Sequence, residues 1–175
     1  MQNRKGLAVL LAVLLAAGLS ACTRQRNMDT AEFCSRFNEL RDEQTLMPEQ
    51  LFKETADVSG AYYCNFAFAE GHTALLTLNA QTDGTVTALQ LTCIPEGEGA
   101  YTAETFSALY ACFVQLVSVL SVCEPIEAQA HLQAAGITED RLGFSDFGFT
   151  ASGDGFSYAL FSGEKYLSLF CSRTR

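Results

Sequence analysis

Apolar residues recur along the chain with two different periods, which predicts both helices and strands. Phe33, Phe37 and Leu40 follow the helical spacing, so we expect a helix with Asp29 or Thr30 as its N-cap. Further on, apolar and polar residues alternate at the strand period of two. The inward positions predicted for three strands are Tyr62, Cys64, Phe66, Phe68, Leu76, Leu78, Ala80, Leu89, Leu91 and Cys93.

Shorter signals complete this first half of the chain. Proline suits the first turn of a helix, so a second helix is expected from Pro48 to Thr55. The sequence Glu70-Gly71-His72 predicts a turn. Asp83-Gly84 predicts a type I′ hairpin, because both residue types tolerate positive φ. The segment from Pro95 to Gly99 is expected to be a linker.

The segment from Phe106 to Cys123 contains no charged residue, so a membrane-spanning helix has to be considered. On a helical wheel, however, its polar and apolar residues separate into two arcs. The polar arc contains Glu104, Ser107, Ala111, Gln115 and Ser118, and the apolar arc contains Phe106, Leu109, Phe113, Leu116, Val117 and Leu120. The sequence also has no Lys or Arg between Lys53 and Arg141 that could orient a span. We therefore predict an amphipathic helix packed on a core.

An alanine-rich helix and three strands are predicted after this segment. The helix is expected from Pro125 to Ala135, ended by Gly136. Turns are expected at Gly153-Asp154-Gly155 and Gly163-Glu164-Lys165. The inward strand positions are Phe147, Phe149, Phe156, Tyr158, Leu160, Leu167, Leu169 and Cys171.

Several short segments occur twice in the chain. Thr30-Ala31-Glu32 returns at 102–104, Met47-Pro48-Glu49 near 124–127, Phe66-Ala67-Phe68 at 147–149 and the segment 89–93 at 167–171. The offsets are 72, 77, 81 and 78 residues. Either an internal duplication or a chance similarity between two amphipathic halves explains this pattern.

The predicted fold is an α+β domain of two similar helix–helix–antiparallel-sheet halves, at about 30–95 and 102–175. Consecutive hairpins form antiparallel sheets, and the helices are expected on one face of the sheet, where both apolar surfaces become buried. This layout resembles that of the secreted β-lactamase inhibitor proteins. The resemblance is one of layout, without a shared residue motif.

The first 22 residues have the features of a secretory signal. Arg4 and Lys5 precede an uncharged apolar stretch from Gly6 to Gly18, which is too short to span a bilayer. Leu19-Ser20-Ala21-Cys22 then resembles the lipobox of bacterial lipoproteins. The resemblance implies that residues 1–21 are removed and that Cys22 carries a lipid anchor, with residues 22–29 as a tether to the membrane. The alternative is an ordinary export site beside an ordinary thiol.

The charge balance excludes some partners. Removal of residues 1–21 would leave nine basic and twenty acidic residues, a formal charge of −11. Nucleic-acid binding requires a clustered basic patch, so we expect no nucleic-acid partner. Anionic lipid head groups should also repel this surface, so the lipid is needed for attachment at the extracytoplasmic face. Arg24 and Arg26 are the exception, because they lie beside the anchor, where attraction to lipid would help. An extracytoplasmic protein partner remains open.

Six cysteines remain besides Cys22, and their state is open. They are Cys34, Cys64, Cys93, Cys112, Cys123 and Cys171. An even number in an exported protein permits three disulfides, whereas free cysteines would behave as small buried apolar residues. Cys112 and Cys123 would be about 16 Å apart on one continuous helix, too far for a disulfide. The chain lacks a Cys-x-x-Cys motif.

Signals for catalysis are weak in this sequence. His72 and His131 lack the spacing of a zinc-binding motif, so no metal and no cofactor are predicted. Cys64 and His72 form the one conceivable nucleophile–base pair, although an inward cysteine beside a surface histidine is the commoner situation. Tyr62, Tyr63 and Phe170 could leave aromatic surface on the outer face of the sheet.

The sequence favours a non-enzymatic, membrane-anchored lipoprotein of the bacterial envelope that acts as a binding or inhibitor-like module. One alternative is a structural envelope lipoprotein that assembles with copies of itself or with a larger complex. A less favoured alternative is a thiol-dependent accessory enzyme.

Overall fold

The computed structural model describes residues 27–41, 46–48, 52–53, 60–94, 101–143, 147–163 and 166–174. The predicted leader, Cys22, most of the predicted tether and the linker from Pro95 to Gly99 lie outside the described residues. All six remaining cysteines lie within them.

Helices and strands alternate in blocks along the described chain. The helices are α1 (Thr30–Glu39), α2 (Ala103–Ser121) and α3 (Pro125–Ala134), and a 3₁₀ turn covers Glu139–Arg141. The strands are β1 (Phe52–Lys53), β2 (Ala61–Ala69), β3 (His72–Ala80), β4 (Val86–Cys93), β5 (Phe147–Gly153), β6 (Phe156–Ser162) and β7 (Leu167–Arg173).

All of these strands belong to one antiparallel sheet in the order β1-β2-β3-β4-β7-β6-β5. Each hairpin pairs neighbours in sequence, and the two blocks of strands join through β4 and β7. The prediction of an α+β domain with an antiparallel sheet is therefore confirmed.

The pairing of β4 with β7 is symmetric about its centre. Leu91 lies opposite Leu169, while Leu89 lies opposite Cys171 and Cys93 opposite Leu167. At the repeat offset of 78 residues, Leu89 corresponds to Leu167 and Cys93 to Cys171. The register of β4 with β7 is thus unchanged when the segments 89–93 and 167–171 are exchanged.

The outer strands do not follow the correspondence expected from sequence. From Leu91, the neighbours across the sheet are Leu76 and then Cys64. From Leu169, they are Leu160 and then Phe149. Counted across the sheet from Leu91 and Leu169, Phe149 therefore lies at the same place as Cys64, and these pairings do not match the segment 66–68 with 147–149. Phe-x-Phe is a common strand pattern, which makes it a poor marker of register.

The core lies between the sheet and α2. This helix contacts β2, β4, α1 and α3. The ring of Phe37 in α1 meets Phe66 in β2 edge-on, with centroids 5.8 Å apart. Fully buried residues from both layers include Phe33, Phe37, Leu76, Leu78, Leu89, Leu91, Leu109, Phe113, Leu116, Leu120 and Leu169.

Helix α2 is the one helix among the described residues that is long and apolar enough to cross a membrane, and 61% of its most apolar window is buried. Ala111, on the predicted polar arc, is exposed, but Ser118 is only 2% exposed. The reason is α1, whose end covers this arc. Gln115 Nε2 donates to the Leu40 carbonyl (3.3 Å), and Arg41 Nη1 donates to Gln115 Oε1 (2.6 Å).

The folded body begins earlier than the sequence indicated. Met28 is fully buried, and its carbonyl accepts a hydrogen bond from the Val86 amide at 2.8 Å. The Asp29 carboxylate caps α1 by accepting from the Glu32 amide at 2.8 Å. The assignment of Met28 and Asp29 to the tether is therefore corrected.

The predicted helix from Pro48 to Thr55 is wrong where the structure describes it. Phe52 and Lys53 form β1, which pairs with Tyr63 and Tyr62 at the edge of the sheet. The rest of this segment beyond Pro48 lies outside the described residues. Pro48 indicates a helix start from neighbouring residues alone. It cannot indicate that the segment after it pairs with the edge strand of a sheet, whose backbone groups need hydrogen-bond partners.

Two of the predicted turns have different outcomes, since the turn at Gly153-Asp154-Gly155 is confirmed and the type I′ geometry at Asp83-Gly84 is not. Asp154 (φ 51°) and Gly155 (φ 78°) both lie in the left-handed region between paired Gly153 and Phe156, as a type I′ turn requires. At Asp83-Gly84 only the glycine has positive φ, so the type I′ prediction is wrong there. Asp83 Oδ1 accepts from the Thr85 amide at 2.9 Å and stabilises a different turn. Helix α3 begins at Pro125 as predicted.

Candidate functional site: the outer face of the sheet

The side chains of each strand alternate between the core and the opposite, outer face of the sheet. Inward residues such as Leu76, Leu91 and Leu160 are fully buried. The outward residues of β2, β3 and β4 are Ala61, Tyr63, Asn65, Ala67, Thr73, Leu75, Thr77, Asn79, Ala88, Gln90 and Thr92. Those of β5, β6 and β7 are Gly148, Thr150, Ser152, Ser157, Ala159, Phe161, Ser168, Phe170 and Ser172.

None of these outward residues of β2–β7 carries a charge. The chain as a whole has 20 acidic and 11 basic residues, so its charges are concentrated elsewhere. A face of amide, hydroxyl and small apolar groups costs less to desolvate than a charged one. Depletion of charge is also what distinguishes the buried centre of protein interfaces.

Larger apolar side chains also lie on this uncharged outer face. Phe161 is 44% exposed, and Leu75, Tyr63 and Phe170 are partly exposed on the same face. A Cβ atom at Gly148 would meet the Phe161 ring at 3.4 Å, so the ring lies directly over the neighbouring strand. Aromatic groups held in this way offer contact area at a small entropic cost.

A hydrogen-bonded cluster joins the two blocks of strands at the centre of the outer face. Gln90 Nε2 in β4 donates to Ser168 Oγ in β7 at 2.9 Å and lies 3.4 Å from Thr92 Oγ1. The hydroxyls of Thr92 and Ser168 are also 3.4 Å apart. Ser168 is only 5% exposed, and its hydroxyl is hydrogen-bonded within the cluster. A buried polar cluster with its hydrogen bonds made rigidifies the centre of the outer face.

The aromatic surface predicted from the sequence is partly corrected. Tyr63 and Phe170 point outward, whereas Tyr62 lies on the inner side, packed against the core. Adjacent residues of a strand face opposite sides, so Tyr62 and Tyr63 could not share a face. Phe161 and Leu75 were missed, although their alternation with buried Leu160 and Leu76 was a signal that could have found them.

The six remaining cysteines are free thiols, and five of them are buried. Cys123 is the partly exposed one, and it does not belong to α2. The helix ends at Val122, which adopts the left-handed conformation (φ 55°), and Cys123 lies in the connection to α3. The prediction that Cys123 lies on one continuous helix with Cys112 is therefore wrong.

Burial keeps the core thiols protonated. It raises the pKa of Cys34 to about 11 and the pKa values of Cys64, Cys93 and Cys112 to about 12, from an ordinary value of 9.0. Burial also raises the pKa of Cys171. Because the thiolate is the nucleophile, these side chains are inert at neutral pH.

The structure does not bring Cys64 and His72 together. Cys64 pairs with Leu76, four residues along β3 from His72, a separation of about 13 Å at the rise of a strand. His72 instead stacks on Tyr101, with ring centroids 5.6 Å apart, and its Nε2 lies 3.5 Å from Thr105 Oγ1. The supposed nucleophile–base pair therefore does not form.

His131 connects α3 to the β5–β6 turn. Its Nε2 lies 3.8 Å from Asp154 Oδ2. Within the described part of the chain, no group of three or more His, Cys, Asp and Glu side chains is placed to hold a metal ion. Neither histidine contributes to a recognisable catalytic arrangement there.

An open groove of about 460 Å³ runs between α1 and the α2–α3 connection. Cys123 lines this groove together with Arg36, Glu39, Glu124 and Glu127. Reactive cysteines lie beside cationic groups or at helix N-termini. The groove around Cys123 is lined by the carboxylates of Glu39, Glu124 and Glu127 and by the guanidinium of Arg36. Arg36 is also paired with Glu32, with its Nη2 3.0 Å from Glu32 Oε1.

Comparison of the chain with protein-family models, with curated proteins and with solved structures gave no match.

Proposed function

We propose that this protein is a lipid-anchored component of a bacterial envelope and that its domain is a non-enzymatic binding or inhibitor-like module. The lipobox-like segment ending at Cys22 supports the anchor. The binding surface would be the outer face of the sheet, directed toward a protein partner outside the cytoplasm.

The observation that carries this proposal is the absence of charge from the outward residues of β2–β7. Depletion of charge distinguishes the buried centre of protein interfaces, and here it occurs in a chain with 20 acidic and 11 basic residues. The partly exposed Phe161, Phe170, Leu75 and Tyr63 supply the aromatic and apolar contacts that anchor protein interfaces. The cluster of Gln90, Thr92 and Ser168 would hold the face rigid and so lower the cost of binding.

The thiols favour a binding role over a thiol-dependent enzyme. Five of the six described thiols are buried, and those in the core are protonated at neutral pH. Cys123, the accessible one, lies among carboxylates in the groove beside α1. Among the described thiols, only Cys123 would therefore be accessible to such chemistry, and no histidine is among the residues that line its groove.

We further infer that the two halves, at about 30–95 and 102–175, are copies of one unit whose helices cover the inner face of the sheet. The symmetric register around Leu91 and Leu169 supports this inference. A local two-fold would place equivalent outer-face positions on either side of the Gln90–Ser168 cluster. A binding face built from two related surfaces would follow.

Site-specific photo-crosslinking in the full-length, membrane-bound protein tests the proposed face. A photoreactive phenylalanine analogue replaces Phe161, and a matched probe replaces Ile126, which is 72% exposed on α3. We expect a discrete protein adduct from the Phe161 probe and none from the Ile126 probe. Adducts at both positions, or at neither, would overturn the proposed binding face.

The anchor is tested separately by mass spectrometry of the mature protein. We expect an N-terminal Cys22 whose mass includes covalently attached acyl chains. A Cys22→Ala variant should lose the modification and leave the membrane fraction. An unmodified N-terminus in the wild-type protein would overturn the lipoprotein assignment while leaving the binding face open to test.

A further inference from the structure

The two edges of the sheet are built differently. At one edge, β1 covers part of β2, and the pairing of β2 with β3 contains a register shift between Ala67 and Ala69. At the other edge, β5 pairs with β6 over all seven residues from Phe147 to Gly153 without a shift. Among the described residues, no strand lies on the other side of β5.

Strand β5 lacks the features that normally protect an edge. Exposed edge strands are blunted by charged residues, proline, bulges or short length, because their free backbone groups can pair with another chain. Phe147–Gly153 contains no charged residue and no proline. Gly148, Thr150 and Ser152 are exposed.

The inner side of β5 is held in place by packing. Arg141 lies over the Phe149 ring, with its guanidinium carbon 5.3 Å from the ring centroid. A Cβ atom at Gly136 would approach the same ring to 3.2 Å, so the α3 end and the 3₁₀ turn pack closely against it. The free edge is therefore preorganised for pairing, which reduces the entropy lost on association.

We propose that β5 pairs antiparallel with β5 of a second copy of this chain, about a two-fold axis at Thr150. This register pairs the whole strand and is self-complementary. Thr150 meets its own equivalent, Phe149 faces Ala151 and Gly148 faces Ser152, so each larger residue faces a smaller one. An isologous contact of this kind closes as a dimer and does not propagate.

The uncharged composition of β5 and a precedent within the sheet favour a second copy as the occupant. Two chains with a formal charge of −9 repel each other, but pairing through an uncharged strand places no like charges directly opposite. The sheet already uses the same geometry within one chain, where β4 and β7 pair symmetrically about Leu91 and Leu169. The contact at Thr150 would repeat that arrangement between molecules and extend one sheet across both.

Cysteine cross-linking in the full-length, membrane-bound protein tests this register. A Cys123→Ser background removes the accessible thiol, and Thr150→Cys, Ser152→Cys and Thr73→Cys are introduced one at a time. All three positions are exposed on the outer face, and Thr73 lies on interior strand β3. An added oxidant such as copper phenanthroline takes two electrons from two thiols, which lose their protons and form one disulfide.

We expect a covalent dimer from Thr150→Cys, with a yield at least tenfold above that of either control. In the proposed register the two copies of Ser152→Cys lie about 13 Å apart, beyond the reach of a disulfide. A monomeric Thr150→Cys protein, equal yields from Ser152→Cys or Thr73→Cys, or a disulfide to a different protein would each overturn the proposal. These outcomes do not depend on the partner captured by Phe161.

Discussion

Leu91 in β4 lies directly opposite Leu169 in β7, and both side chains are fully buried. This pair marks the point at which the four-stranded block β1–β4 and the three-stranded block β5–β7 become one sheet. Inward residues of β4 lie opposite inward residues of β7, so the buried apolar faces of the two blocks form one continuous surface against the core. The outer face is continuous for the same reason, with Gln90 and Ser168 bonded across the junction.

Shortening a buried side chain at the β4–β7 junction should destabilise the folded protein. We expect Leu91→Ala to lower the free energy of unfolding by about 2–5 kcal/mol, because it removes buried apolar surface and leaves a cavity. Leu75→Ala is the matched control, since Leu75 is partly exposed on the outer face of the adjacent strand. Its loss should be about 1 kcal/mol or less. Urea unfolding measures both, and equal losses would contradict the assigned faces.

The β5–β6 turn permits a clean test of backbone strain. Gly155 has φ 78°, and a Cβ atom added at either Gly155 or Gly153 would meet no other atom within 4 Å. Gly155→Ala should therefore cost about 1–2 kcal/mol from the left-handed conformation alone. Gly153→Ala, without positive φ, should be neutral or slightly stabilising. Thermal unfolding distinguishes the two, and a loss at Gly153 equal to that at Gly155 would refute the turn geometry.

Stability should fall in alkaline solution because of the buried thiols. Unfolded thiols ionise near pH 9, whereas burial raises the pKa values of Cys64, Cys93 and Cys112 to about 12. Above pH 9 the unfolded state therefore binds fewer protons than the folded state, and stability declines between about pH 9 and 12. Each thiol contributes a slope of about 1.4 kcal/mol per pH unit within that window.

Urea unfolding at pH 7.5, 9 and 10 measures this slope. Cys112→Ala is the informative variant, since it lowers stability at every pH but should show a shallower decline above pH 9. A slope identical to that of the wild-type protein would show that Cys112 is not buried as a protonated thiol.

Thiol labelling should distinguish Cys123 from the other five. Cys123 is partly exposed, whereas Cys34, Cys64, Cys93, Cys112 and Cys171 are buried. In folded Cys22→Ala protein we expect one of the six described thiols to react with a polar disulfide reagent and the other five to react only after unfolding. The fast phase should disappear in Cys123→Ser. Fast labelling of several thiols, or six thiols unreactive after unfolding without reductant, would contradict the structure.

Much of the local structure was predictable because it depends on near neighbours. The alternation of Leu76, Leu78, Leu89 and Leu91 indicated strands with one buried face, and those residues are fully buried. Pro125 and the helical periodicity after residue 103 predicted α3 and α2. The two failures have different causes. At Phe52-Lys53, pairing with β2 overrode the local helix signal, whereas at Asp83-Gly84 the hydrogen bond from the Thr85 amide to Asp83 Oδ1 favoured another turn.

The candidate site was less predictable than the elements that carry it. The sequence identified Tyr63 and Phe170 as outer-face aromatics but could not assemble them with Phe161 and the Gln90–Ser168 bond. Gln90 and Ser168 are 78 positions apart, and the order β4-β7-β6 that brings these strands together is decided by long-range pairing. The burial of Ser118 likewise depended on where α1 packs.

The amino-acid sequence by itself determined the α+β class and the inward residues of the strands, because periodicity and composition are local properties. Only the tertiary structure decided that β4 meets β7, that Leu91 faces Leu169 and that β5 remains at an edge. These outcomes depend on which strands exchange backbone hydrogen bonds, and that choice is made by the free energy of the whole core.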